Sequence, residues 1–320
     1  MKNNSTFNIQ HSTLKKIAIS IGDLNGVGLE IALKAHNEIS TFCEPIYCIN
    51  ETMLAQGLKL LNIEKPSNFN LYPTKGEFEI KPSKVTKKSG KYSYESFFDA
   101  IKLAKKGKVD AITTLPINKQ SWSEAGIKYK GHTEVLRDFF GEDAIMMLGC
   151  DKMFVALFTE HIPLSKVCDS IKTKKLLQFL LDFQRSVKAE KVCVLGLNPH
   201  AGDGGVLGEE EVKIIKAIKE ANDTLGKKVF YGPVVPDIAF TKHNRENFKY
   251  FVAMYHDQGL GPLKALYFDE SINASLNLPI IRTSVDHGTA FDIAYKKDSH
   301  INTTSYINAI KEAIKLIEAR

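Results

Sequence analysis

The sequence predicts an α/β protein with a mostly parallel sheet. Three observations carry that reading. Apolar runs of four to six residues recur with little polar alternation, as expected for strands covered on both faces. Stretches of helical period lie between them. No internal repeat or low-complexity linker interrupts the alternation, so strands and helices follow one another along one chain.

The candidate strands in order are 16–21 (KIAISI), 46–49, 111–114, 153–158 (MFVALF), 192–197 (VCVLGL), 250–254 and 280–284. Among the helices, 209–222 sets Val212, Ile215, Ile218 and Ala221 at three-residue spacing. Segment 174–183 carries a wide apolar face with Leu176, Leu177, Phe179, Leu180 and Leu181. The last stretch places Ile307, Ile310, Ile314 and Ile317 at 3-4-3 spacing, an amphipathic helix. At roughly 100–200 residues per domain, 320 residues suggest two domains or one large one. A chain of this length buries a core without staples.

Composition excludes several classes. Apolar residues make up 43% and charged residues 25%, which rules out disordered, collagenous and fibrous chains. The 43 Lys and Arg against 37 Asp and Glu leave +6, compatible with a small anionic substrate but too diffuse for a nucleic-acid stripe. The densest basic runs are 84–91 and 102–108; the second has apolar partners at helical spacing and reads as a solvated helix face. Five Cys (43, 48, 150, 168 and 193) form no CxxC and read as free thiols in a reducing compartment. No run of 18 apolar residues exists, so no membrane span is expected. Residues 1–16 lack a signal-peptide core and read as a loose lead-in, so a cytoplasmic protein is expected.

The position of the histidines points to chemistry. Strand 154–158 is followed by Thr-Glu-His161, strand 192–197 by Asn-Pro-His200, and strand 251–255 by His256-Asp257. In open α/β sheets, ligands bind at the carboxyl ends of strands. Each His alone reads as a loop residue bonded to backbone. Together they make an open site for Zn²⁺ or a similar divalent ion, with Asp257 as orienter or proton acceptor. The Gly-rich segment 198–211 (NPHAGDGGVLGEEE) precedes a helix and could lay backbone N–H groups on an anion, or simply form an acid-capped first turn. A second Gly cluster, 22–28, is not GxGxxG. Gly131-His132-Thr133-Glu134 reads as a capping turn, with Thr133 as cap of a helix starting near Val135, or as a ligand loop. Lys264, Asn273 and Arg282 lie nine residues apart among apolar residues, where basic side chains need an anionic partner or solvent. No GxSxG, Walker A or HExxH is present.

GHTE (131–134), EHIPL (160–164), LNPHAGDGG (197–205), YHDQGL (255–260) and IRTSVDHGTA (281–290) together resemble the 4-hydroxythreonine-4-phosphate dehydrogenase family of pyridoxal 5′-phosphate (vitamin B6) biosynthesis. The resemblance runs from about Lys16 to the C-terminus. It implies two α/β/α lobes around a cleft, as in isocitrate and isopropylmalate dehydrogenases, with residues 1–127 plus 281–320 as one lobe and 128–280 as the other. It implies a homodimer with the active site at the subunit interface, NAD bound without the usual fingerprint, and no membrane or nucleic-acid partner. It also implies one divalent metal (Zn, Mg or Co) on His161, His200 and His256. Substrate contacts fall on His132, Thr133, Lys264, Asn273 and Arg282, and cofactor contacts on Gly204, Gly205 and Asp237. Asp257 or His132 is the implied proton acceptor.

The sequence departs from the family pattern in places. Glu160 stands where Thr commonly precedes the first metal His, Val206 replaces a His after the Gly pair, 259–262 read Gly-Leu-Gly-Pro, and Ile238 replaces the Thr after Asp237. His287 lies in a family motif with no assigned role. Three further readings stand beside this one: a dehydrogenase of phosphorylated threonate or erythronate, a three-His metal hydrolase without nicotinamide, and a non-catalytic ligand-binding relative.

Overall fold

The computed structural model describes residues 14–297 and 299–320; the expected lead-in lies almost wholly outside them. The elements run β1 (Lys15–Ser20), α1 (Gly28–Ile39), β2 (Cys43–Cys48), α2 (Glu51–Leu61), β3 (Asn70–Tyr72), α3 (Lys87–Lys105), β4 (Ala111–Thr114), α4 (Lys119–Glu124), α5 (His132–Phe140), β5 (Ile145–Cys150) and β6 (Met153–Leu157). They continue α6 (Val167–Ser170), α7 (Thr173–Val187), β7 (Val192–Leu195), α8 (Glu210–Leu225), β8 (Phe230–Val234), α9 (Lys242–Asn247), β9 (Tyr250–Ala253), α10 (His256–Tyr267), β10 (Ile272–Leu276), β11 (Arg282–Val285) and α11 (Thr304–Glu318).

All the strands form one sheet, in the order β3-β2-β1-β4-β11-β10-β5-β6-β9-β7-β8. Pairing is parallel from β3 to β11 and from β6 to β8, and antiparallel at β11–β10, β10–β5 and β5–β6. Those three reversals make the two parallel blocks run in opposite directions. The α/β class and the mostly parallel sheet agree with the sequence expectation. The strands β3, β5, β8 and β10 were not expected. β3 has three residues, β8 carries Gly232 and Pro233, and β10 alternates Asn273 and Ser275 with apolar residues. β3, β8 and β10 therefore lack the continuous apolar run by which the others are recognised, whereas β5 carries one, IMMLGC, and was still not expected.

Helices cover both faces, unequally. On one face α1, α11, α7 and α8 pack into a single continuous core with Ile17, Ile19, Met147, Phe154 and Val194. On the other face there are two separate cores. α3, α4 and α5 pack Phe97, Ile101, Trp122 and Leu136 over Ala18 and Ile112. α10 packs Leu260 and Leu263 over Val155, Leu157, Cys193, Leu195 and Phe251. Strand parity decides which residues floor the gap between them. Ile272, Ala274 and Val285 join the continuous core, so Asn273, Ser275, Arg282 and Ser284 point the other way.

The helix faces were read unevenly. α7 and α11 turn the expected stripes to the core, in part: Leu176 and Leu180 are buried with Leu177, Phe179 and Leu181 half-buried in one, and Ile307 and Ile310 are buried with Ile314 and Ile317 half-buried in the other. α8 is rotated from expectation. It buries Ile214, Ala217, Ile218 and Ala221 and leaves Val212 and Ile215 exposed, because a strict three-residue spacing drifts across the face of a 3.6-residue helix. Among the described residues no helix is long and apolar enough to cross a membrane. Cys43, Cys48, Cys150 and Cys193 are buried free thiols, while Cys168 is exposed and free.

One glycine ties the α3–α4 cover together. Gly90 of α3 lies against the backbone of Ser121 and Trp122, and a Cβ there would overlap the Ser121 carbonyl. Ser93 accepts from the Trp122 indole at 2.8 Å one turn further along. Gly→Ala within a helix normally stabilises by about 0.5–1 kcal/mol. Gly90→Ala is expected to reverse that sign and destabilise by about 1–3 kcal/mol through overpacking. Chemical denaturation checks this; an unchanged or raised midpoint would contradict the close approach.

Candidate active site

The gap between the two helical covers is a cleft of about 1290 Å³. His132, Thr133, Arg137, Glu160, His161, His256, Lys264, Asn273, Arg282, Asp286 and His287 all line it. Of the expected metal and substrate residues, only His200 is missing from that lining.

Arg282 is its floor. The residue opens β11 and is 2% exposed. Its Nη1 donates to Ser275 Oγ at 3.1 Å and its Nη2 to Thr114 Oγ1 at 2.7 Å, on the flanking strands. Both partners are neutral hydroxyls, and Nε is buried with no partner. Burial pushes the guanidinium down to about 9, since nothing beside it offsets the loss of water. An anion entering the cleft would supply what is missing.

Other groups in the lining are similarly unfinished. His132 Nε2, Asn273 Oδ1 and His287 Nε2 are buried without partners. His132 opens α5 with its ring edge-on to Phe97 at 4.5 Å and Trp122 at 5.7 Å. Burial, and then the Arg282 charge, hold its pKa well below the usual histidine value. The ring is therefore neutral at pH 7 and presents one nitrogen to a ligand. Thr133 does not cap α5 as expected. The helix begins one residue earlier, and Glu134 supplies the local bond, accepting from Lys130 N at 2.7 Å. That leaves the Thr133 hydroxyl available to the cleft.

Lys264 stands at the other side, on α10. Its ammonium pairs with the Asp286 carboxylate and donates to the Asp286 carbonyl at 3.1 Å, while Ser271 Oγ donates to the same carboxylate at 2.6 Å. Asp286 thus aims the lysine across the gap from Arg282.

His161 and His256 come together, with ring centroids 5.4 Å apart. His256 Nδ1 bonds the exposed Asp257 carboxylate at 2.9 Å, which leaves Nε2 as the free nitrogen. That donor chemistry suits a divalent ion. His200 does not join the pair. Among the described residues no group of three or more His, Cys, Asp or Glu is placed to hold a metal. His200 is exposed on a tight turn, Pro199–Gly205, in which His200, Ala201 and Asp203 take left-handed φ values of 52°, 51° and 42°. Conformations of that kind cost about 1–3 kcal/mol each and persist only where surroundings enforce them. Glu211 of α8 enforces this one: its carboxylate accepts from Leu197 N at 2.8 Å, Asn198 N at 2.7 Å and Asn198 Nδ2 at 2.8 Å. The protein's own acid thus takes up the amides at the entry to the Gly-rich loop. Gly204, Gly205 and Asp237 are exposed and line none of the cleft.

Sequence reasoning missed Thr114, Ser275, Arg137 and Asp286. Thr114 and Ser275 look like ordinary strand residues; only their parity, on Arg282's side of the sheet, marks them. Asp286 lay within a segment already notable for polarity. Arg137 had no local signal, because its partner Glu160 lies 23 residues on.

Fold and site together define an α/β protein whose cleft, between two helical covers, is floored by a buried cation without an anion. The family model described as pyridoxal phosphate biosynthetic protein PdxA matches residues 41–313. The 4-hydroxythreonine-4-phosphate dehydrogenase of Sulfurimonas denitrificans is 66% identical over 303 residues, covering 95% of this chain and 98% of its own. That of Campylobacter fetus is 55% identical over 307 residues, covering 96% and 99%. The crystal structure of the Klebsiella pneumoniae enzyme of that name matches with a TM-score of 0.81 at 31% identity, covering 95% of this chain and 99% of its own. The chain belongs to the PdxA family, and is an oxidoreductase of pyridoxal phosphate biosynthesis.

Replacing the buried, unpaired cation by an apolar side chain of similar length tests the charge argument. Uncompensated buried charges are costly, and apolar replacements are often neutral or stabilising by about 1–4 kcal/mol. Arg282→Met is expected to hold or raise the unliganded Tm and to abolish the rise in Tm that a phosphorylated substrate gives the native protein. A Tm lowered by several degrees would show that the guanidinium is structural.

Proposed function

We propose that this enzyme oxidises 4-phosphooxy-L-threonine with NAD⁺ and releases CO₂, giving 3-amino-2-oxopropyl phosphate. The observation that carries this reading is the cleft's floor: a buried Arg282 without a carboxylate, ringed by unpartnered atoms of His132, Asn273 and His287. The substrate has two anionic ends, phosphate and carboxylate, and of the cationic side chains that line the cleft Arg282 and Lys264 are assigned to them. With both ends held, the carbon between them is fixed where hydride can leave.

NAD⁺, when bound, would supply the hydride acceptor for the secondary alcohol, whose proton would pass to a protein group. His132, held neutral, and Asp257, bonded to His256, are the candidates for that proton. The resulting β-keto acid then loses its carboxylate as CO₂. His161 and His256 would hold a divalent ion of the Zn, Mg or Co kind; His200, the third ligand that the resemblance implies, stands outside the cleft on its own turn. When bound, that ion supplies a Lewis acid for the hydroxyl and for the carbonyl that replaces it. The residues on each side of the cleft belong to two α/β/α lobes that meet along β11 and β10. The active form is a homodimer in the cytoplasm with its sites at the subunit interface, as the family resemblance implies. Gly204, Gly205 and Asp237, the cofactor contacts that the resemblance implies, stand apart from the cleft.

The substrate test compares NADH formation, with metal added, on 4-phosphooxy-L-threonine and on erythronate 4-phosphate. Turnover of the first, lost after chelation and restored by metal, is expected. Preference for the second would reassign the enzyme to sugar-acid phosphates. Activity untouched by thorough chelation would remove the metal. Arg282→Ala should raise the substrate KM by about 10–100-fold, the loss of a charged hydrogen bond worth about 1.5–3 kcal/mol.

A further inference from the structure

Glu160 stands directly before His161, and its carboxylate is engaged from across the cleft. Arg137 Nη2 donates to Oε1 at 2.6 Å and Nη1 to Oε2 at 3.1 Å, a two-pronged pair. The same Nη2 donates to Ala144 O at 2.6 Å, tying the end of α5 to the start of β5. The Glu160 side chain is 13% exposed, so this pair is shielded more than a surface contact. Arg137 lies one helical turn beyond Thr133 on α5, the helix whose first residue is His132.

The other flank of the same loop is tethered too. Phe158 N donates to Ala253 O at 2.9 Å, and Thr159 donates to Met254 O from N at 3.2 Å and from Oγ1 at 2.7 Å. Those bonds fix the approach to His161 against the chain that leads into His256. One tether therefore sets His161 relative to His256. The Glu160–Arg137 pair sets His161 relative to His132 and Thr133.

We propose that Glu160 is a positioning residue for the reaction, acting through Arg137 to fix the distance between the His161–His256 pair and the substrate-holding end of α5. This rests on the function proposed above. Both carboxylate oxygens are committed to the guanidinium, so Glu160 is not itself aimed at a ligand. It has a second consequence for charge. Neutralised by Glu160, Arg137 does not compete with Arg282 and Lys264 for the substrate's anionic ends. Glu160→Ala frees a cation in the cleft, while Arg137→Ala frees a carboxylate.

The test measures steady-state kinetics with 4-phosphooxy-L-threonine, NAD⁺ and metal, Co²⁺ affinity by visible absorption, and Tm. Disturbing groups that orient metal ligands typically costs about 10–100-fold in metal affinity or activity. Glu160→Ala and Arg137→Ala should each lower kcat and Co²⁺ affinity by about tenfold, the low end of that range. Their KM values should move apart, falling for Glu160→Ala and rising for Arg137→Ala. The double variant should be no slower than either single, because the pair acts as a unit. Glu160→Gln keeps the shape and one acceptor; a partial kcat loss at wild-type Tm supports the proposal even if the Ala variants fail to fold. Wild-type kcat and Co²⁺ affinity in the folded variants, or additive losses in the double variant, would overturn it. A wild-type protein that neither turns over the substrate nor binds Co²⁺ overturns the proposed function, and this proposal with it.

Discussion

A guanidinium buried in a sheet without an acid to pair with is the constraint on which the rest of the site depends. Arg282 is held by two hydroxyls, Thr114 on β4 and Ser275 on β10. Neither offsets its charge. A buried cation is costly, and a structure that keeps one must offer it an anion at some stage of its working cycle. The neighbouring His132, Asn273 and His287 each leave a polar atom unpaired in the same cleft. Four unsatisfied groups facing one space describe the outline of a polar ligand better than any single residue does. The unliganded protein is less stable for it, which is the usual relation between a binding site and its scaffold.

The fold creates that space by dividing one face of the sheet. The opposite face is sealed by α1, α11, α7 and α8 over one uninterrupted core. On the site's face the cover is split between α3, α4 and α5 at one end and α10 at the other. β10 and β11 cross the split, and their alternation turns Asn273, Ser275, Arg282 and Ser284 into it. Each cover brings its first-turn or cleft-facing residues to the edge: His132 and Thr133 from α5, His256 and Lys264 from α10. Packing and chemistry are thus set by the same elements. The Gly90–Ser121 contact and the Trp122–Ser93 bond hold the wall on which the His132 ring rests.

Much of this was legible in the chain. The continuous apolar runs marked the parallel strands, and the strand-end position of His161 and His256 foretold that they meet. Lys264, Asn273 and Arg282 were conspicuous as polar residues among apolar ones. The rest depended on information a local window does not hold. β10 alternates polar and apolar residues because one of its faces floors a cleft, so it does not look like a buried strand. The outward-turned Val212 and Ile215 mimicked a core stripe. Thr133 looked like a helix cap until the helix began at His132. His200 follows its strand as expected, yet the left-handed turn closed by Glu211 leaves it exposed and apart from the other two histidines. The pairing of Glu160 with Arg137 joins residues 23 apart through the fold alone.

The proposed function turns on Arg282 as the anchor for an anionic substrate. Diffraction from crystals soaked in 4-phosphooxy-L-threonine without NAD⁺ tests it most directly. A phosphate or carboxylate oxygen is expected within hydrogen-bond distance of Arg282 Nε, with His132 and Asn273 turned to the same molecule. A substrate bound elsewhere, with Arg282 still meeting only Thr114 and Ser275, would contradict it.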